Sequence, residues 1–353
     1  VGRNRPLLGY YSTMYYLYTM PRNIQLSDLN NNKFDATTLA NSGVYTENNW
    51  ATPSALYRNP YFLNSQDNDK DVRNRFFGFA QFTVNFTPEL KLKLKQGMDY
   101  ADTQYQYVYK YKDAEMSGCP QMSMTKETHR ELNSEFLLTY NKQVNDFSIG
   151  LSAGGNRMHT KTESVYGNSG PFSVAGAYYL SLGTAQTCSN TIYEKEINSL
   201  YGFADIGYKD YLYLDLTARN DWSSTLPAAN RSYFYPSVSL SGVVTSALDA
   251  WNVKYNKNIF TYGKVRASFA QVGKDTDPYQ LQQTYSTSIG GFGYLYASEP
   301  TTLANINLKP EIATSYELGT EWRLFKDRIG FDFTYYNTVT KNQVLNIPYI
   351  FSA

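Results

Sequence analysis

The chain is 353 residues long, with a formal net charge of +1, 18% charged and 16% aromatic residues. That balance gives no electrostatic case for nucleic acid or an anionic surface as a partner. It carries 34 tyrosines at a mean hydropathy of −0.49, and no run approaches the roughly 18 apolar residues of a membrane-spanning helix, so the chain either stays soluble or crosses a membrane as a closed sheet.

Residues 1–74 read mainly as a long loop on the outer side, rich in Asn, Asp and Pro, with one strand expected at Tyr10 to Tyr18. With no initiator Met or signal peptide at Val1 and no ending signature at Ala353, the chain is expected to be a fragment of a larger protein. Regular strands begin at Arg75. Over Arg75 to Thr87, Phe76, Phe82, Val84 and Phe86 share one face, with Gln81, Thr83 and Asn85 opposite. After a tight turn at Pro88 and Glu89, Leu90, Leu92, Leu94 and Met98 alternate with Lys91, Lys93, Lys95 and Asp99. Such period-two alternation marks a strand with one apolar and one polar face. Further strands are expected at 130–142, 146–158, 192–208, 211–219, 233–246, 262–273, 313–325 and 328–341. Roughly ten to twelve strands result over 75–353, each able to span a bilayer at a ~45° tilt.

The hairpin from Tyr211 to Thr245 is the clearest element. Leu212, Leu214, Leu216 and Ala218 alternate with Tyr213, Asp215, Thr217 and Arg219. A polar connection leads to the aromatic run Tyr233, Phe234 and Tyr235 and a second alternating strand. Aromatics at the junction of strand and polar loop suggest the interfacial girdle of a membrane barrel.

Connection lengths alternate as well. Short turns at Thr87–Glu89, Val144–Asn145, Lys209–Asp210 and Lys326–Asp327 separate long loops at 113–129, 159–191, 220–232 and 274–312; the connection 247–261 is intermediate and belongs to the short series. Short turns on one side and long loops on the other is the layout of an outer-membrane barrel. The expected lipid face carries Leu212, Leu214, Leu216, Val265, Ala267, Phe269, Ile329, Phe331, Phe333 and Tyr335. Lys264, Arg266, Asp215, Arg219, Glu317, Glu321, Arg323 and Asp332 are expected on the lumen side. The fold class is therefore all-β, a transmembrane antiparallel β-barrel.

No catalytic, cofactor or metal site is legible, and no enzyme is expected. His129 and His159 lie in or near long loops without further ligands nearby. Asp221, Ser223 and Ser224 have no histidine in a recognisable nucleophile motif. Gly290, Gly291 and Gly293 lack the helix and Lys-Ser/Thr of a phosphate cradle. Cys119 and Cys188 fall in successive long loops on the same side; a bridge between them and two independent thiols are both open readings. The loop aromatics Tyr166, Phe172, Tyr178, Tyr179, Phe292, Tyr294 and Tyr296 either contact sugar rings or a partner, or pack on one another.

Two long motifs carry a resemblance. NDWSSTLP followed by YFYPSVSLS (Asn220 to Ser241), and LKPEIATSYELGTEWRLFKDRIGFDFTYYNTVTKNQVL (Leu308 to Leu345), resemble the SusC/RagA family of TonB-linked outer-membrane transporters of Bacteroidetes. PRNIQLSDL, RNPYFL and RNRFFGFAQFTVNFTPELKLK upstream resemble further family segments, in the same order. The resemblance implies a plugged barrel of about 22 strands, of which this chain is a part without the plug. It implies active import of an oligosaccharide or peptide, energised by the TonB–ExbB–ExbD complex. It also implies a SusD-like surface lipoprotein over the long loops, outer-membrane lipid around the barrel, and no cofactor; a dimer of transporter–lipoprotein pairs is compatible with it. A passive porin or adhesin barrel without TonB coupling, and a secreted carbohydrate-binding β-sandwich, are the readings that strand pattern alone leaves open.

Overall fold

A computed structural model describes residues 13–34, 48, 59–66, 69–110, 120–172, 177–290, 292–300 and 302–345. Ten long strands form one sheet: β1 (Lys70–Asn85), β2 (Leu90–Tyr109), β3 (Gln121–Val144), β4 (Phe147–Asn168), β5 (Thr187–Tyr208), β6 (Leu212–Ser223), β7 (Ser232–Val243), β8 (Phe260–Lys274), β11 (Glu311–Leu324) and β12 (Ile329–Lys341). Two short strands, β9 (Ser286–Ile289) and β10 (Leu295–Ser298), make a separate antiparallel hairpin. The long strands follow chain order in the sheet, which ends at β1 and β12 and is not closed. No described helix is long and apolar enough to cross a membrane.

The chain divides into two compact units, Val1–Phe76 with Asp99–Arg130 and Thr162–Ile192, and Phe77–Met98 with Glu131–Lys161 and Tyr193–Ala353. Among the described residues of the first lie three short α-helices, α1 (Thr13–Thr19), α2 (Leu26–Asn31) and α3 (Pro60–Gln66). They close around the buried side chains of Tyr16, Phe62 and Asn59, with Asn59 Nδ2 donating to the Leu29 carbonyl at 2.9 Å. The strand expected at Tyr10 to Tyr18 is a helix where it is described, because burial of Tyr16 in this cluster outweighs the strand preference of tyrosine.

In the second unit the register places side chains in rows across the sheet. Leu214 pairs with Leu240, Leu240 with Ala267, Ala267 with Leu318 and Leu318 with Tyr335. A parallel row runs Leu216, Val238, Phe269, Tyr316. Every member of the expected lipid-facing set falls on this face. Its large apolar side chains are open, Leu318 at 60% and Phe333 at 65% exposure, a continuous apolar surface that water would not tolerate. Aromatic rings edge the short-turn end, Phe147 against Tyr208 at 4.8 Å, Tyr208 against Tyr211 at 5.6 Å, and Tyr211 against Trp251 at 5.9 Å.

The short turns are built as the sequence suggests. Lys209 and Asp210 both take positive φ (49° and 57°), the backbone of a two-residue hairpin turn whose twist suits the flanking strands. Phe325, Lys326 and Asp327 do the same at the β11–β12 turn. In the turn before β2, Thr87 Oγ1 accepts from the Leu90 amide at 3.0 Å. Lys209, hydrogen-bonded to Asp146, and Lys257, hydrogen-bonded to Asp249, are both held above the ordinary lysine value by those carboxylates.

Several expected boundaries differ. The loop expected at 113–129 is strand from Gln121 onward, and the loop expected at 159–191 is strand up to Asn168 and again from Thr187. Beyond the apolar face both sides of these strands are polar, so the ladder continues where the alternation that would reveal it has vanished. At the border of the expected and the added ladder, cross-strand ion pairs join β4 to β5, Arg157 to Glu196 at 2.9 Å and His159 to Glu194 at 2.8 Å. The strand expected to reach residue 246 stops at Val243, and Val244–Ala250 is a short helix (α4) closed by Trp251, whose amide donates to the Ala247 carbonyl at 3.0 Å. The loop expected at 274–312 contains the β9–β10 hairpin. The segment expected as loop over 1–74 contains α1, α2, α3 and the start of β1.

Candidate functional site

The face opposite the apolar rows is charged and internally paired. Arg266 of β8 donates through Nη1 and Nη2 to Asp332 of β12 at 3.2 and 2.8 Å, and its Nε lies 3.4 Å from Glu317 of β11. Arg323 Nη2 donates to Glu321 at 3.0 Å. Farther along, the Tyr201 hydroxyl donates to Glu135 at 3.1 Å, and Lys93 lies 3.7 Å from the same carboxylate. The eight residues expected on the lumen side all occupy this face by register. It is a polar wall in which most charges already have a partner, suited to lining a wet passage rather than to chemistry.

Where β6 and β7 end, the first resemblance motif forms a buried polar corner. Asp221, 5% exposed, accepts from Arg219 Nε at 2.8 Å and from the Tyr235 hydroxyl at 2.6 Å. Tyr233 and Tyr235 stack at 6.0 Å over Gly273 of β8, where a Cβ would collide with the Tyr233 ring. Next to it, the buried hydroxyls of Ser223 and Thr225 both donate to Asp275, which also accepts from Lys195 Nζ at 2.6 Å. Asn230 Nδ2 donates to the Leu308 carbonyl at 3.0 Å. The conspicuous Asp-Trp-Ser-Ser-Thr run is thus a structural lock. Ser223 and Thr225 hold the Asp275 end of the 274–310 loop to the rim of the sheet, Asn230 farther along the same connection holds the Leu308 end, and among the described residues the serines meet no histidine.

Sequence reasoning missed Lys195 and Asp275, which stand 80 residues apart and show no local motif. It also placed both histidines in loops. His129 is on β3 with Nδ1 2.9 Å from Thr162 Oγ1, and His159 is on β4 beside Glu194. Among the described residues no group of three side chains suits a metal ion.

The loop aromatics separate into two sets. In the first unit, Phe172 and Tyr178 pack edge to face at 5.5 Å, Tyr166 accepts a hydrogen bond from Asn168 at 3.2 Å, and Tyr179 is exposed. In the second, Phe292, Tyr294 and Tyr296 are carried out on the β9–β10 hairpin with Phe292 93% exposed. Mutual packing therefore accounts for Phe172 and Tyr178, and leaves the hairpin rings open. Cys188 is exposed on β5; the choice between a bridge to Cys119 and two independent thiols turns on Cys119, which lies outside the described residues.

Comparison with known proteins agrees with this geometry. A family model described as TonB dependent receptor-like, beta-barrel matches residues 10–352. TonB-dependent receptor P3 of Formosa agariphila is 26% identical over 87% of this chain and 31% of its own length. TonB-dependent receptor P26 of the same organism is 29% identical over 43% of the chain and 15% of its length. The chain thus spans a third or less of the curated relatives it matches. Among solved structures, the RagAB peptide transporter superposes with a TM-score of 0.69 at 17% identity, covering 87% of this chain and 34% of that one. The RagAB peptide importer in its closed-closed state gives 0.68 at 17% identity, covering 80% and 32%. With ten strands in chain order, an apolar face opposite a charged one, and a match over almost its whole length, the chain belongs to the TonB-dependent receptor β-barrel family and forms part of a transmembrane antiparallel barrel.

Proposed function

We propose that the protein imports a nutrient, an oligosaccharide or a peptide, across the outer membrane by TonB-dependent active transport, together with a SusD-like surface lipoprotein. The observation that carries this reading is the family match over residues 10–352 on a sheet whose two faces differ so sharply in polarity. The apolar face suits lipid and the charged face suits a water-filled path. The long connections between β6 and β7 and between β8 and β11, with the exposed rings of the hairpin, suit a partner surface. Work comes from the TonB–ExbB–ExbD complex, and no catalytic chemistry is asked of the chain. The fold neighbours are named as RagAB peptide importers, which keeps a peptide as one cargo class.

The test is growth on defined oligosaccharides or peptides as sole carbon source, in strains lacking this transporter or lacking TonB. Loss of growth on the same substrate in both strains is expected. Growth that needs the transporter but persists without TonB would overturn the reading in favour of a passive porin.

A further inference from the structure

We infer that the long loop between β8 and β11 holds a binding pocket for a neutral, polyhydroxylated ligand, of the saccharide class. The pocket measures about 600 Å³, within the range of small-ligand sites. Among the described residues its polar lining is made of Gln280, Gln282, Gln283, Asn305 and the tyrosine Tyr279, with Thr284 and Thr302 beside them, and none of these is charged. Each carboxamide offers two donors and an acceptor, the complement of a sugar hydroxyl that both gives and takes hydrogen bonds. Gln283 Oε1 is engaged by the Ala304 amide at 2.7 Å and Asn305 Oδ1 by the Asn307 amide at 2.9 Å, which leaves their NH2 groups as donors. Leu303 and Leu308 supply apolar surface in the same pocket. A sugar ring, with apolar faces and hydroxylated edges, matches that mixture. A peptide with charged termini or side chains would leave its charges there without counter-charges.

Two further features set the pocket apart from an ordinary loop crevice. Tyr279 sits at φ 65°, a left-handed backbone that a bulky residue rarely adopts and that clusters at ligand sites. Its ring is 58% exposed on one side and tilted against Tyr193 at 6.4 Å on the other. The loop is also fastened at both ends, by Asp275 to Lys195, Ser223 and Thr225, and by the Leu308 carbonyl to Asn230. A pocket fixed in this way loses little freedom on binding. The inference deepens the import reading, since it names the class of cargo that the outer loops would meet.

The full-length receptor in detergent is tested by saturation-transfer difference NMR. The probes are a mixture of neutral oligosaccharides from dextran, laminarin and xylan, and a tryptic digest of casein. Sugar-ring protons should show transfer with the wild type. Affinity should fall about tenfold or more in the Gln280→Ala/Gln282→Ala double variant and in Tyr279→Asn, which keeps a residue tolerant of positive φ but removes the ring. An unchanged heat-modifiable band on gels shows that each variant is folded. Absence of sugar signals in the wild type, transfer to peptides alone, or equal sugar binding in the variants would each overturn the assignment. Its failure is separable from that of the import reading. TonB-dependent growth that is indifferent to these variants sinks the pocket alone. Pocket-dependent sugar binding without TonB-dependent growth sinks the import reading alone.

Discussion

Arg266 on β8 reaches across β11 to Asp332 on β12, with Nη2 2.8 Å from Oδ1, and it lies over Gly319, the residue directly opposite it in the register. A Cβ at Gly319 would stand 2.5 Å from Arg266 Nε. The glycine therefore clears a path by which one guanidinium ties three strands together on the charged face. Gly319→Leu should displace Arg266 and separate it from Asp332, and it should lower the temperature at which the full-length barrel loses its heat-modifiable band. Gly242→Ala, where the nearest atom to an added Cβ is 3.8 Å away, is the matched control and should leave that temperature unchanged. Equal effects from the two would show that Gly319 has no special role.

The buried corner at Asp275 makes a second, larger prediction. Its side chain is 8% exposed and its partner Lys195 23% exposed, so removing the carboxylate leaves the ammonium its longer contact to the Thr276 carbonyl at 3.4 Å and the two hydroxyls their bond to each other. Asp275→Ala should cost about 2–4 kcal/mol and should open the 274–310 loop to limited proteolysis. Lys195→Met combined with Asp275→Leu should recover much of that loss, because a well-packed apolar pair no longer leaves a charge alone. Chemical denaturation of the three proteins in one detergent compares them. If Asp275→Ala is as stable and as protease-resistant as the wild type, the lock is not real.

How far the sequence reaches can be judged from particular strands. Leu212, Leu214 and Leu216 announce β6 because one side of it is apolar, and the register then carries Leu240, Ala267 and Leu318 onto the same face. The ends of β4 and β5 were hidden for the opposite reason: from His159 to Ser164 and from Thr187 to Thr191 the residues are almost all polar, so there is no apolar period to detect. The rim lock was half legible. Asp221 and Ser223 stood out as a motif, but Lys195 and Asp275 meet only in three dimensions. The loop pocket left no trace at all, since glutamines spaced along a polar loop carry no period.

The two faces differ in what they tolerate. Ala267 sits in the middle of an apolar row, between Leu240 and Leu318, while its neighbour Ser268 lies on the charged face between Ser239 and Glu317. Ala267→Arg should cost about 2–4 kcal/mol in a bilayer if that position lies near its midplane. Ser268→Arg should be close to neutral, or slightly stabilising beside Glu317. Folding of the full-length protein into phospholipid vesicles, followed by gel shift against urea, compares them directly. Equal tolerance of arginine at both positions would contradict the assignment of the apolar face to lipid.

Orientation follows from the same architecture and can be read in whole cells. Asp146 and Lys326 occupy turns of a few residues, whereas Ser288 and Tyr294 belong to the hairpin in the longest described connection, between β8 and β11. In an outer-membrane barrel short turns face the periplasm and long loops the exterior. Cys119 and Cys188 are the chain's two cysteines and each would take up label as a free thiol, so the background must carry both Cys119→Ser and Cys188→Ser. In that background Ser288→Cys and Tyr294→Cys should react with a membrane-impermeant maleimide on intact cells. Asp146→Cys and Lys326→Cys should react only after the outer membrane is opened. The hairpin substitutions lie outside the strand ladder, and Asp146 and Lys326 are turn residues, so all four variants should insert. Labelling of the short-turn cysteines alone on intact cells would invert the chain in the membrane. It would also remove the basis for an outward-facing saccharide pocket, because Tyr279 and its glutamines lie in the same connection as Ser288.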